Sequence, residues 1–550
     1  MADPSLILGN GNWAVKSDSL LGYALPQGKY TPREFTVTRA TTATRVNETG
    51  LVQLVPYNLV QYSEQFDNAA WTKTGYGGGL APIVTPNAGI APDGKMTADR
   101  VQFDCVGTTS TFRSLLGQGG LSTPIGSLFT QTLYVKAYSP SEVGKQLRVV
   151  SEGTNNSAII TVTADWQRIV VNGVPAIFAT SNFNIETRGS FTTNTTADLL
   201  LWGAQLVEGT DPLDYFPTTT RLNIPRVDYS LGSANLLLEP QRTNLATFST
   251  EFNDANWVKN AGVSVNVNTS NAPSGTLTAD TIIGATGTTG WGGINTLNRQ
   301  ITSLSSLTAY TFSVYLKGSG NIILRLRDQS TGLETSLLCN LTTSWQRFEI
   351  TRTTGAITTA LGIVFGNASG NFDAWGAQLE AGAYATSYIP TTSASVTRNA
   401  DSISRSNIFT NGYITSAGGT WFIELRNNVP RTRDASNVGF GVGSSSALDV
   451  NALYIRQEFP TSRNSIMKRV SGSNTTLFTT STDTAKIAIK WNGSTADVFV
   501  NGVKQVSATA FTATTLEWLV AFSTDVPKYI PQMALYTTPL SDAECINMTL

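Results

Sequence analysis

The stretch NLVQYSEQFDNAAWTKTG (Asn58 to Gly75) returns as NLATFSTEFNDANWVKNAG (Asn244 to Gly262), and that recurrence decides the architecture. Further along, APDGKMTADRVQF (Ala91 to Phe103) answers to APSGTLTADTIIG (Ala272 to Gly284). FTQTLYVKAYS (Phe129 to Ser139) answers to LTAYTFSVYLKGS (Leu307 to Ser319), and TADWQRIVV (Thr163 to Val171) to LTTSWQRFEI (Leu341 to Ile350). LLLWGAQLVEGTDPLDYFPTTT (Leu199 to Thr220) pairs with FDAWGAQLEAGAYATSYIPTTS (Phe372 to Ser393). Five matches in one order, with loops of differing length between them, mark a tandem duplication of one folded unit.

Within each unit the apolar residues recur every second position. Leu133, Val135 and Ala137 alternate with Tyr134, Lys136 and Tyr138, as Phe312, Val314 and Leu316 do with Ser313, Tyr315 and Lys317. That period puts one face of a strand into a core and the other toward solvent. Short strands and frequent turns then predict an all-β fold of antiparallel two-sheet sandwiches. Helix is expected only as short turns at Ser63 to Trp71 and Ser249 to Trp257, and as a terminal helix N-capped by Ser541.

The chain divides accordingly. Residues 1–57 read as an N-terminal anchor and connector, 58–220 as a first jelly roll, 221–243 as a connector, 244–404 as a second jelly roll, and 405–550 as a different sandwich. The connectors around TRATTATRVNETGL, RLNIPRVDY and SASVTRNADSIS each carry a strand-like Thr/Ser stretch with an arginine, and are expected to pack on neighbouring modules. In the last part, KIAIKWNGSTADVFVNGVKQVS (Lys486 to Ser507) reads as strands joined by turns at Asn492-Gly493 and Asn501-Gly502.

Composition narrows the chemistry. The 550 residues hold 37 Lys plus Arg, 38 Asp plus Glu and no histidine. Nucleic acid needs a basic face that displaces counterions, and none is present. Without histidine the Ser-His-Asp and Cys-His constellations are gone, along with the commonest metal ligand. Cys105, Cys339 and Cys545 form no CxxC pair and read as buried free thiols from a reducing compartment. MADPSLILGNGNW is not a secretory signal, and no uncharged apolar run nears ~18 residues, so no membrane insertion is expected.

No catalytic residue and no metal ligand stand out. A glycosidase needs two carboxylates about 5 to 10 Å apart. Glu208 and Glu380 fall in different units and read as turn-closing residues, and Asp99 and Asp280 as acceptors of backbone N–H groups. No cofactor is expected; a structural calcium is the one ion such a fold leaves room for. The repeat-matched Trp71, Trp166, Trp202, Trp257, Trp345 and Trp375 read as core. Carbohydrate-binding candidates are instead the aromatics found in one unit only: Tyr76 before Gly77, Gly78 and Gly79, and Trp291 in GTTGWGGIN, where glycines admit a ligand close to the backbone. In the last sandwich the candidates are Tyr454, Arg456 and Trp518.

The series NLxxYSExFDNAAW, APDGxxTAD, WQR, WGAQLExG and SYIPTT resembles carbohydrate-binding-module-like jelly rolls that recur in bacteriophage virion proteins, and the connectors resemble those flanking such modules. The segments KIAIKWNGSTADVFVNGVKQVS and MALYTTPLSDAE resemble concanavalin-A-like or laminin-G-like sandwiches. Together the resemblance covers about residues 35–550. It implies a non-enzymatic virion fibre, with a crAss-like phage as one setting and a head fibre favoured over a tail fibre or receptor-binding protein. Such a fibre would be a homo-oligomer, with a trimer favoured. It would be made in the host cytoplasm, exposed on the particle surface, joined to capsid or tail proteins by its N-terminal segment, and would adhere to cell-surface glycan through many weak sites. The alternatives are a glycan depolymerase (a glycoside hydrolase with binding modules) and a purely architectural spacer.

Overall fold

The computed structural model describes residues 3–9, 14–16, 19–24, 31–39, 41–55, 58–123, 128–151, 156–175, 177–178, 180–191, 193–208, 212, 215, 217–219, 225–426, 437–458, 463–482, 484–512, 515–522 and 528–550. They form two compact units. One is built on Val55–Arg221; the other on Ser19–Leu54 and Leu222–Leu550 with the N-terminal strand.

Both jelly rolls are sandwiches of two five-stranded antiparallel sheets. In the first, one sheet runs Asn156–Thr161, Gln146–Ser151, Thr180–Arg188, Arg113–Ser122, Thr72–Tyr76. The other runs Gln167–Pro175, Leu128–Ala137, Thr196–Glu208, Ala98–Asp104, Leu80–Gly89. The second jelly roll repeats both orders: Glu334–Leu341, Gly320–Asp328, Leu361–Gly366, Leu297–Ile301, Val258–Lys259, and Gln346–Thr353, Ala309–Gly318, Phe372–Ala381, Leu277–Ile283, Ser264–Asn271. The alternating residues face inward as expected: Leu133 and Val135 join one core, and Phe312, Val314 and Leu316 the other.

Polar residues of the repeat explain why these letters recur. The Asn58 side chain donates to the Ala204 carbonyl and accepts from the Val60 and Leu206 N–H groups; Asn244 does the same with Ala377, Ala246 and Leu379. Buried Asp99 accepts from the N–H groups of Phe66 at 2.7 Å and Asn87 at 2.9 Å, and Asp280 from those of Phe252 and Asn268. Burial pushes the Asp99 carboxyl up to about 6, opposed by those N–H bonds. The segments Ser63 to Trp71 and Ser249 to Trp257 are runs of turns rather than helix, with Trp71 Nε1 donating to the Tyr62 carbonyl and Trp257 Nε1 to that of Phe248.

The C-terminal sandwich faces one sheet, Val503–Ala510, Thr495–Val500, Ala485–Trp491, Gly419–Arg426, Lys528–Tyr536, against a second. The second runs Thr31–Thr38, Ser402–Arg405, Trp518–Phe522, Asn437–Gly443, Ala452–Glu458, Arg463–Val470, Ser473–Thr479. Asn501 and Gly502 both take positive φ in the tight turn before Val503, as a type I′ hairpin requires. The one α-helix among the described residues, Asp542–Thr549, starts with a capping box between Ser541 and Glu544.

The described strands of residues 1–57 do not stand apart as a module of their own. Leu6–Gly9 pairs with Lys528–Tyr536, placing Leu6 opposite Leu535, and Leu6 and Leu8 lie in the sandwich core. Ser19–Ala24 joins that strand to Thr31–Thr38 and so links the two sheets. The connector strand Asn235–Leu238 pairs with the other half of Lys528–Tyr536. Apolar alternation in these short strands demands a partner, and the free edge of the C-terminal sheet supplies it.

The connectors meet in a buried knot of charge. Arg226 donates to Glu239 at 2.6 Å, to the Ser387 hydroxyl at 2.8 Å and to Asp401. Arg39 donates to Asp401 at 3.0 Å, and Arg398 lies 2.8 Å from Glu239 while donating to the Pro240 carbonyl. The Glu239 N–H closes the ring on Asp401 at 2.9 Å. All five side chains are essentially inaccessible. Burial alone would raise the Glu239 carboxyl, but Arg398 and Arg226 hold it down at about 2.

Breaking a buried ion pair from one side strands the other charge and costs about 3–5 kcal/mol. Arg226→Met leaves Asp401 with Arg39 alone and Glu239 with Arg398 alone, and is therefore expected to destabilise the unit containing Leu222–Leu550 by about 3 kcal/mol in urea unfolding, the low end of that range. Because Glu239 titrates in the folded state below its ordinary 4.5, its contribution is complete above pH 4.5 and is lost as pH falls toward 2. Glu239→Gln should flatten the acid limb of the stability profile in that window, measured by urea unfolding across pH.

Candidate functional site

The first jelly roll presents an open cleft of about 330 Å³ on the outer face of the sheet that carries Thr72–Tyr76. Its lining is Thr72, Tyr76, Arg113, Leu115, Gly117, Gly119, Asn182 and Asn184. Strand alternation sets this list: Leu116 and Phe183 point into the core, so their neighbours Leu115, Gly117, Asn182 and Asn184 point out. The two glycines keep the floor low. A Cβ on Gly117 would stand 2.2 Å from Asn184 Oδ1, and one on Gly119 2.8 Å from Asn182 Oδ1. The amide of Asn184 makes no hydrogen bond to a described residue and faces this space.

Tyr76, proposed from its glycine-rich setting, stands at the rim with 49% of its surface exposed and the Arg113 guanidinium 5.8 Å from its ring centre. The glycines after it do something other than admit a ligand. Gly77 and Gly79 lie against the backbone of Thr111 and Arg113, and Gly78 against the Phe112 ring, so that a Cβ at any of them would clash below 3.0 Å. They let the turn press onto residues 111–113 and thereby fix Tyr76 beside Arg113. Next to the cleft, Glu186 is buried and accepts from Arg148 at 2.8 Å and Arg188 at 2.6 Å, with Arg113 at 4.0 Å.

The second jelly roll has a different surface at the matching place. Lys73 and Lys259 make the same bonds in the two units and pair with Leu116 and Leu297, which sets the correspondence of strands. On that register Gly117 becomes Asn298, Asn184 becomes Val364, Glu186 becomes Gly366 and Arg148 becomes Ile323. Trp291 then lies on the sheet: a Cβ added to Gly362 would stand 2.4 Å from its Cε3. Its loop is pinned by Gly287 N–H to Asn295 O at 2.8 Å and Asn367 N–H to Gly287 O at 2.9 Å. Trp291 thus covers the face as a half-buried lid residue and does not stand free as a stacking platform.

The other candidates also shift. Tyr454 is fully buried with Leu448, Ala452, Met467 and Val520, and its hydroxyl donates to Asn474 at 2.9 Å, so it offers no surface to a sugar. Trp518 packs on the same cluster, while Arg456 is half-buried on the strand Ala452–Glu458. The six repeat tryptophans split into three kinds. Trp71 and Trp257 are core; Trp202 and Trp375 are buried outside it, against Tyr215 and Tyr388; Trp166 and Trp345 are only half-buried, and their Nε1 atoms donate to the Ile90 and Asn271 carbonyls. Glu380 is buried in its strand, bonded to Gln378 and to Thr386 across the following turn; the Glu208 side chain lies outside the described residues. Cys105, Cys339 and Cys545 are buried free thiols, and burial pushes the last two up to about 12.

No family model and no curated protein matches the chain. Among solved structures, it is similar to the CBM22-1–CBM22-2 tandem domain of Paenibacillus barcinonensis Xyn10C, at 15% identity, 59% coverage of this chain, 97% of that one and a TM-score of 0.21. It is also similar to the enzymatically active domain of bacteriophage CBA120 tailspike protein 4, at 11% identity, 25% and 21% coverage and a TM-score of 0.20. The CBM22-1–GH10 modules of Clostridium thermocellum xylanase 10B, complexed with xylohexaose, match at 13% identity, 26% and 28% coverage and a TM-score of 0.18. Scores of this size carry no functional argument, and the site stands on its own residues.

Gly362→Ala is expected to drive Trp291 off the sheet at a cost of about 1–3 kcal/mol, as overpacking does. In fluorotryptophan-labelled protein, with Trp291→Phe assigning the signal, the Trp291 resonance should move to a solvent-exposed position. An unmoved resonance contradicts the covering role.

Proposed function

We propose that the protein is a non-enzymatic glycan-binding adhesin and that its working site is the cleft of the first jelly roll. The observation that carries this reading is the lining itself: an exposed aromatic ring beside a trough with a glycine floor, edged by side-chain amides and a guanidinium. Sugars are recognised in this way, by stacking on the ring and hydrogen bonding to planar polar groups. The lining contains no carboxylate, whereas glycoside hydrolysis needs two. Glu186, close to Arg113 of the lining, is clamped by Arg148 and Arg188.

The repeat and connector motifs support a setting on a bacteriophage particle, as a head fibre in preference to a tail fibre. Assembly into a homo-oligomer, a trimer first, would multiply weak single sites into avidity. Attachment to capsid or tail proteins would then use a surface other than Leu6–Gly9 and Thr31–Thr38, whose strands are spent on the C-terminal sandwich.

The test is a pull-down of full-length protein on intact host cells, before and after enzymatic stripping of surface polysaccharide. Binding should vanish on stripping and fall at least about tenfold in Tyr76→Ala, since losing a stacked ring costs on the order of 1.5 kcal/mol. Trp291→Ala should bind like wild type. Binding that survives stripping overturns the proposal.

A further inference from the structure

We infer that the cleft of the first jelly roll selects an acidic saccharide, one bearing a carboxylate of the uronate type, and that Arg113 receives that carboxylate. The inference rests on the glycan-binding reading above and names its ligand class.

Three guanidinium groups, Arg113, Arg148 and Arg188, surround a single carboxylate, Glu186, and none of the three has a second acidic partner among the described residues. The cluster therefore carries two uncompensated positive charges on one face. They are not shared equally. Arg148 and Arg188 hold Glu186 at 2.8 and 2.6 Å, and Arg148 also donates to the Ser157 hydroxyl. Arg113 stands 4.0 Å away, beyond hydrogen-bond range, and donates to no described residue. Its Nε is buried without a partner. Yet its side chain is 37% exposed and forms the cleft wall beside Tyr76.

A guanidinium in this state is a fork without its acceptor. A carboxylate is the planar, two-oxygen group that fits the fork in parallel bonds, and such charge-assisted pairs are about twice as strong as neutral ones. Glu186 engages the Arg148 and Arg188 heads in direct bonds, so Arg113 is the member left for an outside anion. The Tyr76 ring, 5.8 Å below the guanidinium, gives the same sugar a face to stack on. The second jelly roll has no counterpart: Glu186 and Arg148 are replaced by Gly366 and Ile323.

Full-length protein is titrated with polygalacturonate, alginate and xanthan, with each polymer after reduction of its carboxyls to alcohols, and with neutral xylan and glucan. The expected result is binding to at least one acidic polymer, reduced at least about tenfold by carboxyl reduction and likewise by Arg113→Gln, and weakening as salt rises. Arg113→Lys, which keeps the charge and loses the fork, should fall between. Unchanged melting of both variants shows that the fold is intact, since Glu186 keeps two partners. If neutral or reduced polymers bind as well, and Tyr76→Ala abolishes binding while Arg113→Gln does not, the acidic selectivity is overturned and the glycan-binding reading stands. Acidic binding indifferent to both Arg113 variants also overturns it. Binding to no polymer overturns both.

Discussion

The unit built on Leu222–Leu550 depends on the buried ring of Arg39, Arg226, Arg398, Glu239 and Asp401. These five residues come from three connector segments, which also send Phe35, Val37, Leu236, Leu238 and Ile403 into the core of the C-terminal sandwich. A buried ion cluster is seldom a net gain over a well-packed apolar plug, because desolvation offsets most of the attraction. What it supplies is discrimination. A shift of one connector by a residue would break pairs to both carboxylates in a dry interior and leave buried charge under-compensated, at a cost of several kcal/mol. Apolar packing tolerates slippage; this ring does not. The Ser387 hydroxyl and the Thr44 and Pro240 carbonyls accept from further guanidinium N–H groups of the ring, which ties the second jelly roll into the same register.

That fixed geometry makes sense of the N-terminal strands. Leu6 pairs with Leu535 across nearly the whole chain, and Thr31–Thr38 pairs with Ser402–Arg405, which begins just after Asp401. Closing loops of this length is entropically costly, and contacts so distant in sequence are slow to form. The Arg39–Asp401 pair sits at the junction, one residue beyond the end of Thr31–Thr38 and one before Ser402, so the knot holds the two strands at matching height. Charge pairing at the connector and strand pairing in the sheet are thus two readings of one constraint.

Much of this was legible in the letters. The repeat fixes the two sandwiches, because Asn58 and Asn244, Asp99 and Asp280, and Trp71 and Trp257 make identical bonds, and identical bonds are what preserve letters after a duplication. The connector arginines were visible as a pattern, but their convergence on two acids was not, since each acid lies in a different segment from most of its partners. Residues 1–57 read as a separate anchor because a strand with no partner nearby in sequence carries no sign of a distant one. Tyr454 and Trp166 were misjudged in opposite directions for one reason: alternation says which residues share a face and not what lies over that face. Trp291 shows the same limit, since a glycine-rich loop can bring a ring out to solvent or lay it on the sheet, and the deciding residue, Gly362, is 71 positions away.

Duplication explains how the outer faces of the two jelly rolls came to differ. The residues pointing inward are held by packing, so Leu116 and Leu297, or Ile185 and Phe365, stay apolar in both units. Those pointing outward answer only to whatever covers the sheet. In the second unit the outward residues are mixed, Val364 and Ile323 beside Arg325 and Arg327, and the Trp291 loop lies over Gly362 with its Trp291 N–H on Glu334. In the first, outward Asn184, Glu186 and Arg148 are polar, gain nothing from a hydrophobic cover, and the sheet stays bare. Packing within the sandwich does not account for the polar, open face of the first jelly roll, which is why the proposed recognition is placed there.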